Sequence, residues 1–268
     1  MSIVASIITL GGIGALGAVL LGGVARRFHV EEDPRIAEVE ALLPGANCGA
    51  CGYKGCHDFA VHCVSQGNLD GLHCPGAGAD GMGRIAAYLG CDARHTSSKI
   101  AVVKCAGTSD TKTSLGAHYI GPQVCAIKAM GAGDYQCQAG CLGCGDCVTA
   151  CRFGAISIDP VSGLPTVDAE KCTGCGVCAS VCPKHIIGIR DAGLRGRRVW
   201  VACSNCLKGV QARKQCSVAC IGCGLCVKAC PFDAISVTDN LAHIDPEKCK
   251  ACGKCVEACP SHAIHKTF

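Results

Sequence analysis

Four times in this 268-residue chain cysteine recurs as C-x2-C-x2-C-x3-C. The runs are Cys141-Cys144-Cys147-Cys151, Cys172-Cys175-Cys178-Cys182, Cys220-Cys223-Cys226-Cys230 and Cys249-Cys252-Cys255-Cys259, and Pro183, Pro231 and Pro260 follow three of them. Cysteines this close would have to bridge near neighbours or form a dense web of long-range links, so the spacing argues for metal or cluster ligands rather than a disulfide scaffold. The chain holds 28 cysteines against five Phe, four Tyr and one Trp. So few aromatic side chains leave no single large apolar core, and small modules folded around something other than side chains fit better.

A run of this spacing is that of bacterial two-cluster ferredoxins, in which the first three cysteines hold three irons of one [4Fe-4S] cube and the fourth reaches the partner cube. Structural zinc takes four ligands, usually as two separated pairs, and a triple followed by a further thiol over-supplies it. The runs form two tandem pairs: "CLGCGDCVTACRFGAISI" recurs as "CIGCGLCVKACPFDAISV", and "VDAEKCTGCGVCASVCPKHII" as "IDPEKCKACGKCVEACPSHAI". The stretches "AISI", "PTVD", "AISV" and "AHID" predict strands, and "VTAC" and "VEAC" short helical turns. Each half, 139–190 and 218–268, resembles a bacterial-type 2[4Fe-4S] ferredoxin domain. Crossing the fourth ligands predicts four cubes: Cys141, Cys144 and Cys147 with Cys182; Cys172, Cys175 and Cys178 with Cys151; Cys220, Cys223 and Cys226 with Cys259; and Cys249, Cys252 and Cys255 with Cys230.

Upstream, "NCGACGYKGCHDFA" offers Cys48, Cys51 and Cys56, and "LHCPG" adds Cys74. Four thiolates at that open spacing suit a fifth cube, with zinc the competing occupant. The following "HDFAVHCVSQG" predicts an amphipathic helix carrying Cys63 as a small core residue. Residues 3–25, "IVASIITLGGIGALGAVLLGGVA", carry no charge and are long enough at a helical rise to cross a bilayer. No Lys or Arg precedes them, and Arg26 and Arg27 follow, which predicts a single-pass anchor with the cysteines on the cytoplasmic side.

The predicted architecture is α+β: a transmembrane anchor at 1–27, a single-cluster domain at 28–92, a connector at 93–138, ferredoxin domains at 139–190 and 218–268, and a basic connector at 191–217. An anchor, a "CGACGYKGC…CPG" domain and ferredoxin repeats in that order resemble the B-subunit family of the Rnf complex in its long polyferredoxin form. The resemblance implies an iron–sulfur relay subunit of a membrane-bound, ion-translocating ferredoxin:NAD oxidoreductase. Its partners would be the other subunits of that complex, soluble ferredoxin and the cell membrane. A membrane-anchored polyferredoxin serving another oxidoreductase is the alternative. No residue set suggests bond-breaking chemistry on this chain, so no catalytic residue is assigned, and the chemistry is electron transfer through the clusters.

Two further expectations come from residues outside the twenty assigned cysteines. The segment 190–214 holds Arg190, Arg195, Arg197, Arg198, Lys208, Arg213 and Lys214 against Asp191. Cubes carrying about −2 each would turn the formal +4 of the chain negative, leaving a local cationic patch to dock an acidic donor such as ferredoxin. Arg195, Arg197, Arg198, Arg213 and Lys214 are its predicted contacts, and nucleic acid is not an expected partner because no aromatic platform interleaves the charges beyond Trp200. "AVVKC" ending at Cys105 parallels "VWVAC" ending at Cys203, while Cys137 and Cys216 each stand four residues before a run. Cys105, Cys125 and Cys137, with Cys216 or Cys203, are candidates for a sixth cube. The G-x-G-x-x-G at Gly76, Gly78 and Gly81 follows no strand, so no direct nucleotide binding is expected.

Overall fold

The computed structural model describes residues 2–27, 32–92, 98–131 and 133–268. The predicted boundaries after residues 27 and 92 fall beside 28–31 and 93–97, which lie outside the described residues, as do 1 and 132. The apolar N-terminus forms helix α1 (Ser2–Arg27), with Leu10, Ile13, Leu16 and Leu20 exposed along it. The anchor reading of 1–27, and with it the membrane-spanning part of the predicted architecture, is corrected here. Among the described residues no helix is long and apolar enough to cross a membrane. Gly11, Gly12, Gly14, Gly17, Gly22 and Gly23 lengthen the helix while adding almost no apolar surface.

Three helices follow: α2 (Pro34–Ala41), α3 (Cys56–Gln66) and α4 (Gly78–Leu89). Helix α2 starts where Asp33 accepts a hydrogen bond from the Arg35 amide at 2.9 Å, with Pro34 pre-set for the first turn. The apolar positions of the predicted 57–67 helix fall on one face of α3, so Phe59, Ala60 and Cys63 bury against Val39 and Ile85 in a core of ordinary side chains. Cys63 is fully buried there, as its place on the helix face predicts. Gly67, in the left-handed region at φ 66°, then ends α3.

Among the described residues beyond 98 the chain forms eight strands in four antiparallel pairs, joined by one-turn helices. These are β1 (Lys99–Val103), β2 (Ile156–Ile158), β3 (Pro165–Val167), β4 (Ile187–Asp191), β5 (Val199–Val201), β6 (Ile235–Thr238), β7 (Leu241–Ile244) and β8 (Ile264–Lys266). The β2–β3 and β6–β7 hairpins arise where the β-branched stretches predict them. The other two pairs are not local. Strand β1 runs antiparallel to β4, Ala101 opposite Ile189, and β5 to β8, Trp200 opposite His265. Each ferredoxin unit is thus closed by a strand lying well upstream of its first cysteine run, in a stretch that reads as connector from the cysteine spacing alone.

The two units also hold each other through these upstream segments. The Ala106 amide donates to Ala202 O at 2.9 Å, Thr113 N to Gln215 O at 2.9 Å, and Ser217 N to Thr111 O at 2.8 Å. The Trp200 indole donates to Val103 O at 3.0 Å and Ser204 Oγ to Lys104 O at 3.0 Å. Backbone groups that leave the hairpins unpaired are satisfied across the seam, so the segments are built-in structure rather than free linkers.

Candidate metal centres

The cysteine loops fold inward for a local reason. In Cys220-Ile221-Gly222-Cys223 the third residue has φ +65°, and a Cβ there would lie 2.7 Å from Asn240 O. Gly174 repeats this at φ +66°, with the Lys99 carbonyl 2.5 Å from such a Cβ. A left-handed residue in that place turns the chain so that thiols three apart face one space, a conformation glycine adopts freely. One-turn helices then carry the third thiol of each run: α6 (Asp146–Thr149) Cys147, α7 (Val177–Ser180) Cys178, α9 (Leu225–Lys228) Cys226 and α10 (Lys254–Glu257) Cys255. Helix α5 (Cys125–Lys128) precedes them and α8 (Gly209–Gln215) lies between the units. All four of those thiols are buried.

Cys182, Cys259 and Cys230 each line a cavity with thiols of the partner run. Cys220, Cys223, Cys226 and Cys259 surround a cavity of about 320 Å³, and Cys230, Cys249, Cys252 and Cys255 one of about 290 Å³. In the first unit Cys141, Cys147 and Cys182 line a cavity of about 380 Å³. Burial pushes the Cys178 thiol up to about 12, and Cys175, Cys172, Cys147 and Cys151 add to the rise, so thiols of both runs lie near it. Burial likewise pushes Cys141 to about 12 and Cys226 and Cys255 to about 11. Free thiols this buried keep their protons at neutral pH, so loading a metal centre must release them.

The structure brings Cys51, Cys56 and Cys74 together in the helical domain: burial raises the Cys74 thiol first, and Cys51 and Cys56 raise it further. Asn47, at φ 45°, accepts from the Cys56 amide at 2.7 Å and so shapes the loop that carries Cys48 and Cys51. Cys48 faces the ferredoxin part: it is among the groups that raise Cys175, after burial. The helical domain meets the first unit here, since a Cβ on Gly76 would stand 3.1 Å from the Phe153 ring. Among the described residues no three His, Cys, Asp or Glu side chains are drawn tight enough to hold a single metal ion.

Other predicted residues separate. Cys125 lies at the first cavity with Cys141 and Cys147, and its charge is the next cause after burial of the rise of Cys144 to about 11. It is not brought to Cys105 and Cys137. These two line another cavity, of about 310 Å³, together with Cys203 and Cys216. The basic residues divide as well. Arg195 and Arg197 are exposed, and Arg197 donates to Ala251 O at 3.3 Å and stacks on Phe268 at 4.1 Å. Arg198 is half-buried and donates to Ala192 O at 2.8 Å. Arg213 and Lys214 are exposed on α8, away from that group in sequence. What the cysteine spacing misses is the pairing of β1 with β4 and of β5 with β8. The parallel between "AVVKC" and "VWVAC" is its one trace in the sequence.

Cysteine-lined cavities in both repeat units, with Cys51, Cys56 and Cys74 gathered in the helical domain upstream, define an iron–sulfur electron-transfer protein. Family comparisons agree: a 4Fe-4S dicluster domain matches residues 140–186 and 219–263, and an Fe-S cluster domain matches 43–74. The chain is 42% identical over 242 residues to the B-subunit of the Na(+)-translocating ferredoxin:NAD(+) oxidoreductase complex of Acetobacterium woodii, covering 90% of this chain and 71% of that one. It is 39% identical to the B-subunit of the ion-translocating oxidoreductase complex of Methanosarcina acetivorans, over 91% of this chain and 90% of that one. With the B-subunit of the proton-translocating ferredoxin:NAD(+) oxidoreductase complex of Clostridium ljungdahlii the identity is 40%, over 88% and 82%. The chain therefore belongs to the B-subunit family of ion-translocating oxidoreductase complexes, the family that its motif order resembles.

Proposed function

We propose that this chain is the iron–sulfur relay of an ion-translocating ferredoxin:NAD oxidoreductase, taking electrons from reduced ferredoxin and passing them to the other subunits of the complex. The observation that carries the reading is the order of the quartets. Cys48 of the helical domain faces Cys175, Cys178 neighbours Cys147 within the first unit, and Cys226 neighbours Cys255 within the second. Cys48, Cys51, Cys56 and Cys74 and the four crossed quartets are the ligands we assign, which makes five centres. [4Fe-4S] clusters bound there supply one-electron transfer and nothing else is required of them.

The residues of the chain do the rest. Buried thiolates and the loop amides around them fix each centre and set its potential. The loop amides donate to sulfur in places already: Ala155 N to Cys151 Sγ at 3.3 Å and Ala101 N to Cys172 Sγ at 3.5 Å. At the far end Cys252 and Cys223 are exposed, and Arg197 sits on the carbonyl of Ala251 beside Cys252. We assign Arg195 and Arg197 as the docking cations for an acidic ferredoxin there, steering it to the most open thiol edge. The domain limits follow the same reading, with 34–91 as the single-cluster domain and 99–191 and 199–268 as the two ferredoxin units.

Anoxic purification of the full chain, followed by iron, sulfide and zinc analysis and titration with reduced ferredoxin, tests this. Iron and sulfide of at least about 20 each per chain, bleached by reduced ferredoxin and restored on oxidation, are expected. Zinc in place of iron, or clusters that reduced ferredoxin leaves untouched, would overturn it.

A further inference from the structure

Among the described residues four cavities are each lined by four cysteines, and three of them belong to the ferredoxin quartets. The fourth does not. Cys105, Cys137, Cys203 and Cys216 border about 310 Å³, a volume between those of the two quartets of the second ferredoxin unit, about 290 and 320 Å³. The four thiols come in equivalent pairs from the two halves of the repeat. Cys105 stands two residues past β1 and Cys203 two past β5; Cys137 stands four before Cys141 and Cys216 four before Cys220.

The surroundings repeat as well. The Cys141 amide donates to Cys105 Sγ at 3.4 Å, and the Cys220 amide is among the backbone donors to Cys203. Asn205, only 3% exposed, turns its amide nitrogen toward Cys137 Sγ at 3.7 Å while also donating to Gln215 Oε1 at 3.1 Å. Cys137 and Cys216 each feel Cys105 as well as burial. A Cβ on Gly107 would lie 3.2 Å from Cys216 Sγ, so the backbone closes directly on the cavity. Lys112 lines the same space and donates to Cys141 O at 3.2 Å, placing one cation beside it. Amide donors aimed at sulfur, a nearby cation and a thiol-lined space like those of the ferredoxin quartets are what a cluster bearing net negative charge needs.

We propose that Cys105, Cys137, Cys203 and Cys216 hold a further [4Fe-4S] cube at the seam between the two ferredoxin units. The assignment rests on the reading of the other quartets as cube ligands and extends it. Its place gives it a purpose: one edge touches the Cys141 run and the other the Cys220 run. An electron given up by a centre in one unit is taken by the seam centre, the 2+ core becoming 1+, and passed on to the other unit with return to 2+. Without it the relay would have to cross the seam between units through protein alone. Cys125, which lies at the first quartet instead, has no part in it.

Iron and sulfide counting on the anoxically purified full chain decides the matter, with zinc measured alongside. The expected result is about 24 Fe and 24 sulfide per chain, and Cys125→Ser should leave that count unchanged. Cys203→Ser should lower it to about 20 while the remaining centres stay reducible. A fully loaded wild-type chain at about 20 Fe, or one at about 20 Fe with one zinc, overturns the seam cube while sparing the five-centre reading. A count far below 20 sinks both. Should Cys203→Ser fail to fold, the Cys125→Ser count still discriminates, because a fall to about 20 there would move the site away from this quartet.

Discussion

Around Cys56 and Cys74 the thiols sit against Phe59, Ile85, Val39 and Met82, all part of one apolar cluster built by three helices. Around Cys147 and Cys178 the buried company is only Ala101, Ile156, Ile186 and Ile187, and much of what packs on them is cysteine again. The helical domain has a core in its own right, with Cys56 and Cys74 buried in it. The first ferredoxin unit has two-stranded pairs and one-turn helices, which bury little surface, so its interior closes on the thiols and whatever they bind. Short strands in isolated pairs are marginal without such support. The lesson is that one chain can bind its centres by two energetic routes, one in which the fold precedes the metal and one in which metal and fold form together.

Removing the iron is the largest test of that difference. Chelation under anoxic, reducing conditions should abolish amide protection in β2, β3, β6 and β7 while α2, α3 and α4 keep theirs, read by hydrogen exchange of the full chain. Equal loss in both regions would break the comparison. Next in size is Phe59→Ala, which opens a cavity beside Tyr53, whose ring meets Phe59 edge-on at 5.5 Å. It should cost about 3–5 kcal/mol in the helical domain and leave iron in the ferredoxin units untouched. Loss of ferredoxin-unit iron in this variant would show that the two regions do not stand apart.

The 113–136 excursion belongs to neither regime and sharpens the contrast, because an ion pair holds it. Lys128, 8% exposed, pairs with Asp134, which also accepts from the Tyr119 amide at 2.6 Å. The Lys128 ammonium, the first cause, and that amide hold the Asp134 carboxyl below its ordinary value. A depressed carboxyl contributes stability that is present above its unfolded value, near pH 4, and lost as pH falls through the folded one. Asp134→Asn strands a buried cation and should cost about 3 kcal/mol at neutral pH, with the acid-side loss of protection in 113–136 disappearing in the variant. An unchanged acid profile would remove the ion pair from the account.

The smallest effect expected is at the surface. Changing Arg195 and Arg197 together to Ser should slow reduction by ferredoxin about three- to tenfold at low ionic strength and flatten its salt dependence, without altering iron content. Reduction at the wild-type rate and salt slope would place the docking surface elsewhere.

Much of this was legible before any tertiary structure. Four runs at one spacing carry the cube-binding chemistry by themselves, because ligand geometry is set within each loop, where a left-handed third residue such as Gly222 turns three thiols inward. The hairpins were legible for the same local reason, since β-branched stretches flank short turns. The N-terminal stretch shows the limit of composition, for an uncharged run interrupted by six glycines forms a helix that is not apolar enough to be a span. Cys125 shows a second limit. Cys105 and Cys137 each have a counterpart in the second half of the repeat and Cys125 has none; Cys125 lies at the first quartet while Cys203 completes the seam cavity.

The chain alone thus determined what each run can bind and which short segments become strands, since neighbours in sequence decide both. Only the tertiary structure decided which distant thiols share a space. That choice follows from long-range backbone pairing, β1 on β4, β5 on β8, and Thr113 N to Gln215 O and Ser217 N to Thr111 O across the seam, whose partners lie roughly a hundred residues apart in the first and third cases and leave no periodic trace in the sequence.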